Sequence, residues 1–196
     1  MDTLKRSYID RNSLPEFFPT NSHTPLFWEQ LGRTIATFGF LEEMLGKAIF
    51  AFTGMRKYDS QEIEGAYKAW LPKLEKALSY PLCNLADSFG KAVRDYHGSS
   101  TENVSELLES IKNAAIIRNV LCHGSWPVPD NDGKSLPLFV SRKQEVFETK
   151  IDIAFLCQVH DHVRDLACDV IDTVLQMVWQ FPGGVGPGKT IWLRHR

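Results

Sequence analysis

A seam of apolar residues between Leu31 and Phe52 sets the strongest limit on how this chain can fold. Its steps alternate between four and three residues, which places every member on one face of a single long helix. The helix is predicted to begin near Pro25 and to end at Gly54, packed against neighbouring helices. The seam positions are Leu31, Ile35, Phe38, Glu42, Leu45, Ile49 and Phe52.

Apolar faces with helical spacing recur in four later segments, each limited by glycine, proline or turn residues. Pro72 is expected to kink or split the second helix, and Ser100 or Thr101 is expected to cap the fourth. Long helices joined by short loops predict an all-α fold, an antiparallel helical bundle of four to five helices. The later segments begin near residues 60, 81, 101 and 151 and run to about 78, 96, 123 and 180.

Three segments fall outside the helical pattern. Residues 1–24 carry two prolines and no clear period, which predicts an N-terminal arm ahead of a bundle over 25–181. Two short alternating runs near 136–149 predict a small β-hairpin insertion before the last helix. Its role is left open between substrate gating, dimer contact and partner docking. Residues 182–196 predict a flexible tail rich in glycine and proline.

Composition narrows the functional classes. The chain has 196 residues, is 43% hydrophobic and carries a formal net charge of -2, so no global basic field attracts nucleic acid. No run of 18 apolar residues occurs, and the N-terminus lacks the apolar stretch of a signal peptide. The four cysteines form no CxxC pair, which favours reduced, buried thiols in a cytoplasmic protein without membrane partners.

Two charged residues occupy positions where the helical pattern calls for apolar ones. Glu42 lies on the seam of the first helix, and Arg118 lies on the apolar face of the fourth. A lone charge in a helical core costs several kcal/mol unless it is paired. Either the two charges meet each other as a structural pair, or both face an interface or cleft. The seam favours Glu42 over the neighbouring Glu43 as the relevant acid.

Asn119 and His123 add two polar groups to the same helix end. They are four residues apart and share one helix face, while Arg118 and His123 are about 140° apart around an ideal helix. His123 stands in the last turn, just before Gly124. A guanidinium, an amide and a titratable imidazole on one rim can hold a phosphate and transfer protons without a metal or another cofactor.

The segment "IIRNVLCHG", residues 116–124, resembles the R-x4-6-H motif of HEPN domains, in the form with asparagine after arginine. The acid in "FGFLEEML", residues 38–45, is similar to the polar residue that these proteins carry in an early helix. The resemblance covers roughly residues 26–180 and implies a helical bundle, in agreement with the periodicity.

The resemblance implies a metal-independent endoribonuclease whose site forms between two protomers. Arg118 would then bind the scissile phosphate, Asn119 would orient the phosphate or the imidazole, and His123 would act as general base or acid, with Glu42 supporting the site. Many such proteins are toxins or phage-defence RNases, often encoded beside an antitoxin. Those paired with a nucleotidyltransferase have tyrosine two residues after the histidine. Ser125 stands there in this chain, which argues against that subfamily.

Three other features of the sequence bear on function. A non-catalytic HEPN-like binding or scaffold module would use Arg118 and Glu42 as a structural pair. The segment "GGVGPGKT", residues 183–190, matches a phosphate-binding loop in its letters. That loop needs a strand before it and a helix after it, whereas here a helix precedes and only "IWLRHR" follows. His160 and His162 point about 200° apart on a helix, so they cannot share one metal ion.

Overall fold

The computed structural model describes residues 7–54, 61–96, 102–141, 144–177, 179 and 181–183. The predicted all-α class is confirmed, with a one-turn 3-10 helix at Arg11–Ser13 ahead of five α-helices. Among the described residues, no helix combines the length and the apolar character that crossing a lipid bilayer requires. The helices are α1 Pro25–Gly54, α2 Ile63–Leu78, α3 Leu82–Arg94, α4 Val104–His123 and α5 Ile153–Leu175.

Helix α1 is the central element of the core. It packs most extensively on α5 and next on α3. Phe38, Leu45 and Phe52 from its seam are at most 1% exposed, so the seam prediction is confirmed. Thr34 on the same helix is fully buried, and its hydroxyl oxygen lies 2.8 Å from the Gln30 carbonyl of α1 and 3.2 Å from the Leu156 carbonyl of α5.

The packing of α3 on α4 explains why one end of α4 stays open. A Cβ atom on Gly90 of α3 would collide with the side chain of Leu108 near the start of α4. Farther along α4, Lys112 pairs with Asp87 of α3 at 2.5 Å. The two helices are therefore antiparallel. Because α3 has 13 residues and α4 has 20, α3 falls short of the last turn of α4.

Several helix ends differ from the prediction. Helix α4 begins after Asn103, a left-handed residue with φ 63° that makes no side-chain cap, while the predicted caps lie outside the described residues. Helix α5 starts after Asp152, whose carboxylate accepts from the Phe155 amide at 2.7 Å, and ends at Leu175, five residues short of the predicted end. Helix α2 is not divided, since it continues through Pro72 to its last residue.

The predicted β-hairpin near 136–149 is wrong, because the segment forms no β-strands among its described residues. Residues 125–151 contain isolated antiparallel bridges and no strand among the residues that are described there. Leu138, Val140 and Val146 are 62–69% exposed, whereas Phe139 and Phe147 are half-buried and pack against the core. Isolated bridges of this kind have little stability of their own. The bridges pair Ser125 with Leu138, Ser135 with Ile151, and Val140 with Val146.

The last residues of the N-terminal arm are fixed to the bundle. The Trp28 indole N–H donates to the Thr20 carbonyl at 2.7 Å. His23 is buried, with its Nε2 atom 2.7 Å from the hydroxyl of Ser135 in the 125–151 segment. The predicted flexible tail lies, from residue 184 onward, outside the described residues.

None of the four cysteines forms a disulfide, but they are less buried than expected. Cys83 and Cys168 are half-buried, whereas Cys122 and Cys157 are exposed. Cys122 lies in the last turn of α4, which α3 does not cover, so its predicted burial is wrong.

Candidate functional site at the end of the fourth helix

Arg118 and Glu42 meet between α4 and α1. The Arg118 Nη2 atom lies 3.6 Å from Glu42 Oε1, and the side chains are 33% and 32% exposed. Both groups are therefore at the edge of the core, within reach of water. An ion pair that is this open contributes about 0–1 kcal/mol to stability. The contact is too long for a hydrogen bond, so the guanidinium is held loosely.

The neighbouring acid Glu43 has a different partner. It is exposed and forms an ion pair with Lys47 one turn along α1, at 2.7 Å. Of the two acids that the sequence left as alternatives, Glu42 is the one beside Arg118.

Asn119 and His123 occupy the outward face of the last turns of α4. Both side chains are exposed. The Arg118 Nη1 atom donates to Asn119 Oδ1 at 3.5 Å, so the guanidinium reaches from the flank of α4 toward this face. The His123 ring makes no hydrogen bond or ion pair within the part of the chain that the structure describes.

Gly124 fixes the end of α4 directly after His123. Its amide donates to the Val120 carbonyl at 2.8 Å, and its φ of -68° is ordinary. Glycine is required for another reason: a Cβ atom there would lie 2.6 Å from the Val120 carbonyl oxygen and 3.2 Å from Pro137 Cβ. The close approach lets the chain fold back over the helix end.

A pair of backbone hydrogen bonds holds the returning chain in place. The Ser125 amide donates to Leu138 O at 3.0 Å, and the Leu138 amide donates to Ser125 O at 2.8 Å. The last turn of α4 is thus clamped just beyond His123. Since the clamp uses only backbone groups of the 125–151 segment, it leaves the side chains of Asn119 and His123 accessible.

A second polar cluster, which no sequence pattern indicated, surrounds His23 on the inner side of the same end. The Ser135 hydroxyl donates its one hydrogen to the Pro127 carbonyl at 3.0 Å, so the His23 Nε2–H is the donor to Ser135. Burial lowers the pKa of His23 from its ordinary value of 6.5. The ring packs in an aromatic cluster formed by His23, Phe27, Trp28 and Trp126.

Asp130 orders the loop that follows. Its carboxylate accepts from the Lys150 ammonium at 2.6 Å and from the Lys134 amide at 3.0 Å. The hydrogen bond from Lys150 is the main cause that lowers the pKa of Asp130. No local pattern pointed to this residue, because Lys150 is 20 positions away.

Comparison of the chain with protein-family models, with curated proteins and with solved structures gives no match. The likeness to HEPN domains therefore rests on the two short segments and on the helical architecture.

The described residues contain no group of three or more His, Cys, Asp or Glu side chains that is placed to hold a metal ion. His160 lies 3.4 Å from the carboxylate of Asp161, and His162 is exposed on α5. What the end of α4 offers chemically is a guanidinium with several N–H donors, an amide and an imidazole, all open to solvent.

Proposed function

We propose that this protein is a metal-independent endoribonuclease of the HEPN type, whose site is completed by a second copy of the chain. The observation that carries the proposal is His123: an exposed imidazole without a partner among the described residues, at the helix end that also holds Arg118 and Asn119. A structural ion pair between Arg118 and Glu42 has no use for this ring.

The reaction is transesterification at one phosphodiester of RNA. One imidazole accepts the proton of the ribose 2'-hydroxyl, and the 2'-oxygen forms a new bond to phosphorus. The bond from phosphorus to the 5'-oxygen breaks, and a second imidazole gives that oxygen a proton. The products are a 2',3'-cyclic phosphate and a 5'-hydroxyl. Extra negative charge develops on the phosphate oxygens in the transition state, where a guanidinium stabilises it.

The second copy supplies what one α4 helix cannot. Arg118 and His123 are about 140° apart around the helix axis, so one chain directs them to different sides of Asn119. Two copies that meet at this end can place the guanidinium of one chain and the imidazole of the other on the same phosphate. They also provide two imidazoles, one for the base and one for the acid role.

Glu42 and Asn119 hold the guanidinium ready for the phosphate. The contacts of Arg118 with Glu42 at 3.6 Å and with Asn119 at 3.5 Å orient the side chain but are weak. A phosphate offers bidentate, charge-assisted hydrogen bonds, which are about twice as strong as neutral ones. The guanidinium can therefore exchange these contacts for the substrate.

An RNase of this kind acts in the cytoplasm as a toxin or phage-defence effector, under the control of an antitoxin or another regulatory partner. Growth arrest on expression, relieved by His123→Ala, is the expected cellular result.

The ion pair itself favours a second candidate function, that of a non-catalytic binding or scaffold module. Arg118 and Glu42 do meet across α4 and α1, as a pair that fixes the register of a bundle would. In this function the protein lacks nuclease activity, and the contact serves only to join the two helices.

Digestion of RNA by the purified protein in excess EDTA separates the two functions. We expect cleavage that survives chelation, leaves 2',3'-cyclic phosphate ends and falls by about 10²–10⁴-fold in His123→Ala. The matched control is His162→Ala, because His162 is also exposed but lies on α5. An inert wild-type protein, or equal activity in His123→Ala, would favour the scaffold. Sedimentation that finds only monomers would exclude the composite site.

A further inference from the structure

Helix α2 leaves much of its apolar face uncovered. Ile63, Tyr67 and Leu78 are each 52–54% exposed, although they recur at helical spacing. The helix does touch the bundle, since Leu78 lies where a Cβ atom on Gly46 of α1 would be, 2.6 Å away. Most of its inner side instead borders a groove between α1, α2 and α3.

This groove has a volume of about 510 Å³ and mainly apolar walls. Such a volume is in the range of small-molecule sites, about 300–1,000 Å³. Ile49 of α1, Leu74 of α2 and Ala92 of α3 each supply one wall. Trp70 also lines the groove, and its indole N–H donates to the Thr53 hydroxyl at 2.8 Å. The polar edge of that ring is therefore already satisfied.

The groove has a cationic rim. Lys73, Lys76 and Lys91 line it together with one acid, Asp95. Lys91 pairs with Asp95 at 2.9 Å. Lys73 and Lys76 are exposed, and within the described residues their ammonium groups form no ion pair. The rim is thus positive beside an apolar interior, which suits a ligand with a negative head and an apolar body.

We propose that this groove binds an anionic amphiphile, a single aliphatic chain that ends in a carboxylate or a phosphate. Few polar groups remain in the groove to recognise a nucleobase. The Ser88 hydroxyl already donates to Asn84 O at 2.9 Å, and the Trp70 indole N–H already donates to Thr53. Thr53 on the groove is 11 residues from Glu42, about 16 Å along α1. The site is therefore separate from the end of α4 and independent of the RNase proposal.

Titration calorimetry on the full chain, below micelle-forming concentrations, tests the proposal. The probes are laurate, dodecyl phosphate, neutral dodecanol and AMP. We expect laurate or dodecyl phosphate to bind at least tenfold more tightly than dodecanol, and AMP not to compete. The stronger of the two anionic probes identifies the head group.

Variants of the rim and the groove complete the test. Lys73→Glu/Lys76→Glu should weaken binding of the anionic probes by about tenfold or more, a change of about 1.4 kcal/mol. Ala69→Trp should fill the groove and abolish binding. The matched control is Lys68→Glu, because Lys68 is on α2 but pairs with Glu64 and does not line the groove. Equal binding of dodecanol, binding of AMP, indifference to the rim variant, or no binding of any probe would overturn the proposal.

Discussion

Two polar contacts near the same end of the bundle differ in charge, in length and in burial. The contact of His23 with Ser135 is neutral, 2.7 Å long and buried, with side chains at 9% and 1% exposure. The contact of Arg118 with Glu42 is ionic, 3.6 Å long and one-third exposed. The first joins the arm to the 125–151 segment, and the second joins α4 to α1.

The difference separates a contact that stabilises the fold from one that can accept a ligand. Breaking a buried hydrogen bond leaves a polar group without water, at a cost of about 1–3 kcal/mol. Breaking the open ion pair costs about 1 kcal/mol or less, because water solvates both charges. Only the second contact can exchange partners readily, and it is the one beside His123.

Removing the guanidinium should have the largest effect of these changes. We expect Arg118→Ala to lower RNA cleavage by about 10²–10³-fold through the lost stabilisation of the phosphate. Its free energy of unfolding should change by about 1 kcal/mol or less. Arg118→Lys keeps the charge without the planar fork and should recover only part of the activity. Wild-type activity in Arg118→Ala would assign the residue to the fold alone.

Breaking the buried contact between His23 and Ser135 should have its main effect on stability rather than on RNA cleavage. His23→Ala removes the hydrogen bond and leaves a space among Phe27, Trp28 and Trp126. The free energy of unfolding should therefore fall by about 2–4 kcal/mol. Urea denaturation measures the change. His23→Phe fills the space and should recover most of the packing contribution. If His23→Ala unfolds at the same urea concentration as the wild type, the His23 cluster does not hold the arm.

The burial of His23 should also make the stability of the fold depend on pH. Burial lowers the pKa of His23 in the folded state, so between about pH 7.5 and 5.5 the unfolded chain takes up the proton first. Stability is therefore full above the unfolded value of 6.5 and falls as the pH drops below it. The pKa of Asp130 is lowered as well, but that carboxylate titrates at lower pH. Thermal unfolding of His23→Phe should lack this slope, and an equal slope in both proteins would contradict the assignment.

The smallest change in stability should come from Glu42. We expect Glu42→Gln to alter the free energy of unfolding by less than about 1 kcal/mol. RNA cleavage should fall more than stability does, because the guanidinium loses its orienting acid. Glu43→Gln is the matched control, since Glu43 pairs with Lys47. A loss of several kcal/mol in Glu42→Gln alone would support the structural pair and the scaffold function.

The sequence predicts the long elements of this fold well and the contacts between distant segments poorly. The seam of α1 repeats over seven positions, and burial of that face follows from the spacing. Glu42 and Arg118 could be found because each interrupts such a pattern. His23 and Ser135 interrupt none and are 112 residues apart, so no periodicity could connect them.

The burial that the sequence predicted for the cysteines is wrong for Cys122, which is exposed. The burial of a residue depends on which neighbour covers it, and α3 is too short to cover the last turn of α4. Arg118, Asn119 and His123 were expected on one rim at the end of α4. The sequence pattern could not indicate that this rim stays uncovered because α3 ends before it.

The aromatic cluster has a practical consequence for following the end of α4. Trp126 is three residues beyond His123, and its ring centroid is 5.1 Å from that of Phe27 and 6.2 Å from that of His23. Its fluorescence is therefore an intrinsic optical reporter of this region. In a variant that retains Trp126 as its sole indole, emission would register RNA docking or subunit association in real time, without an attached dye.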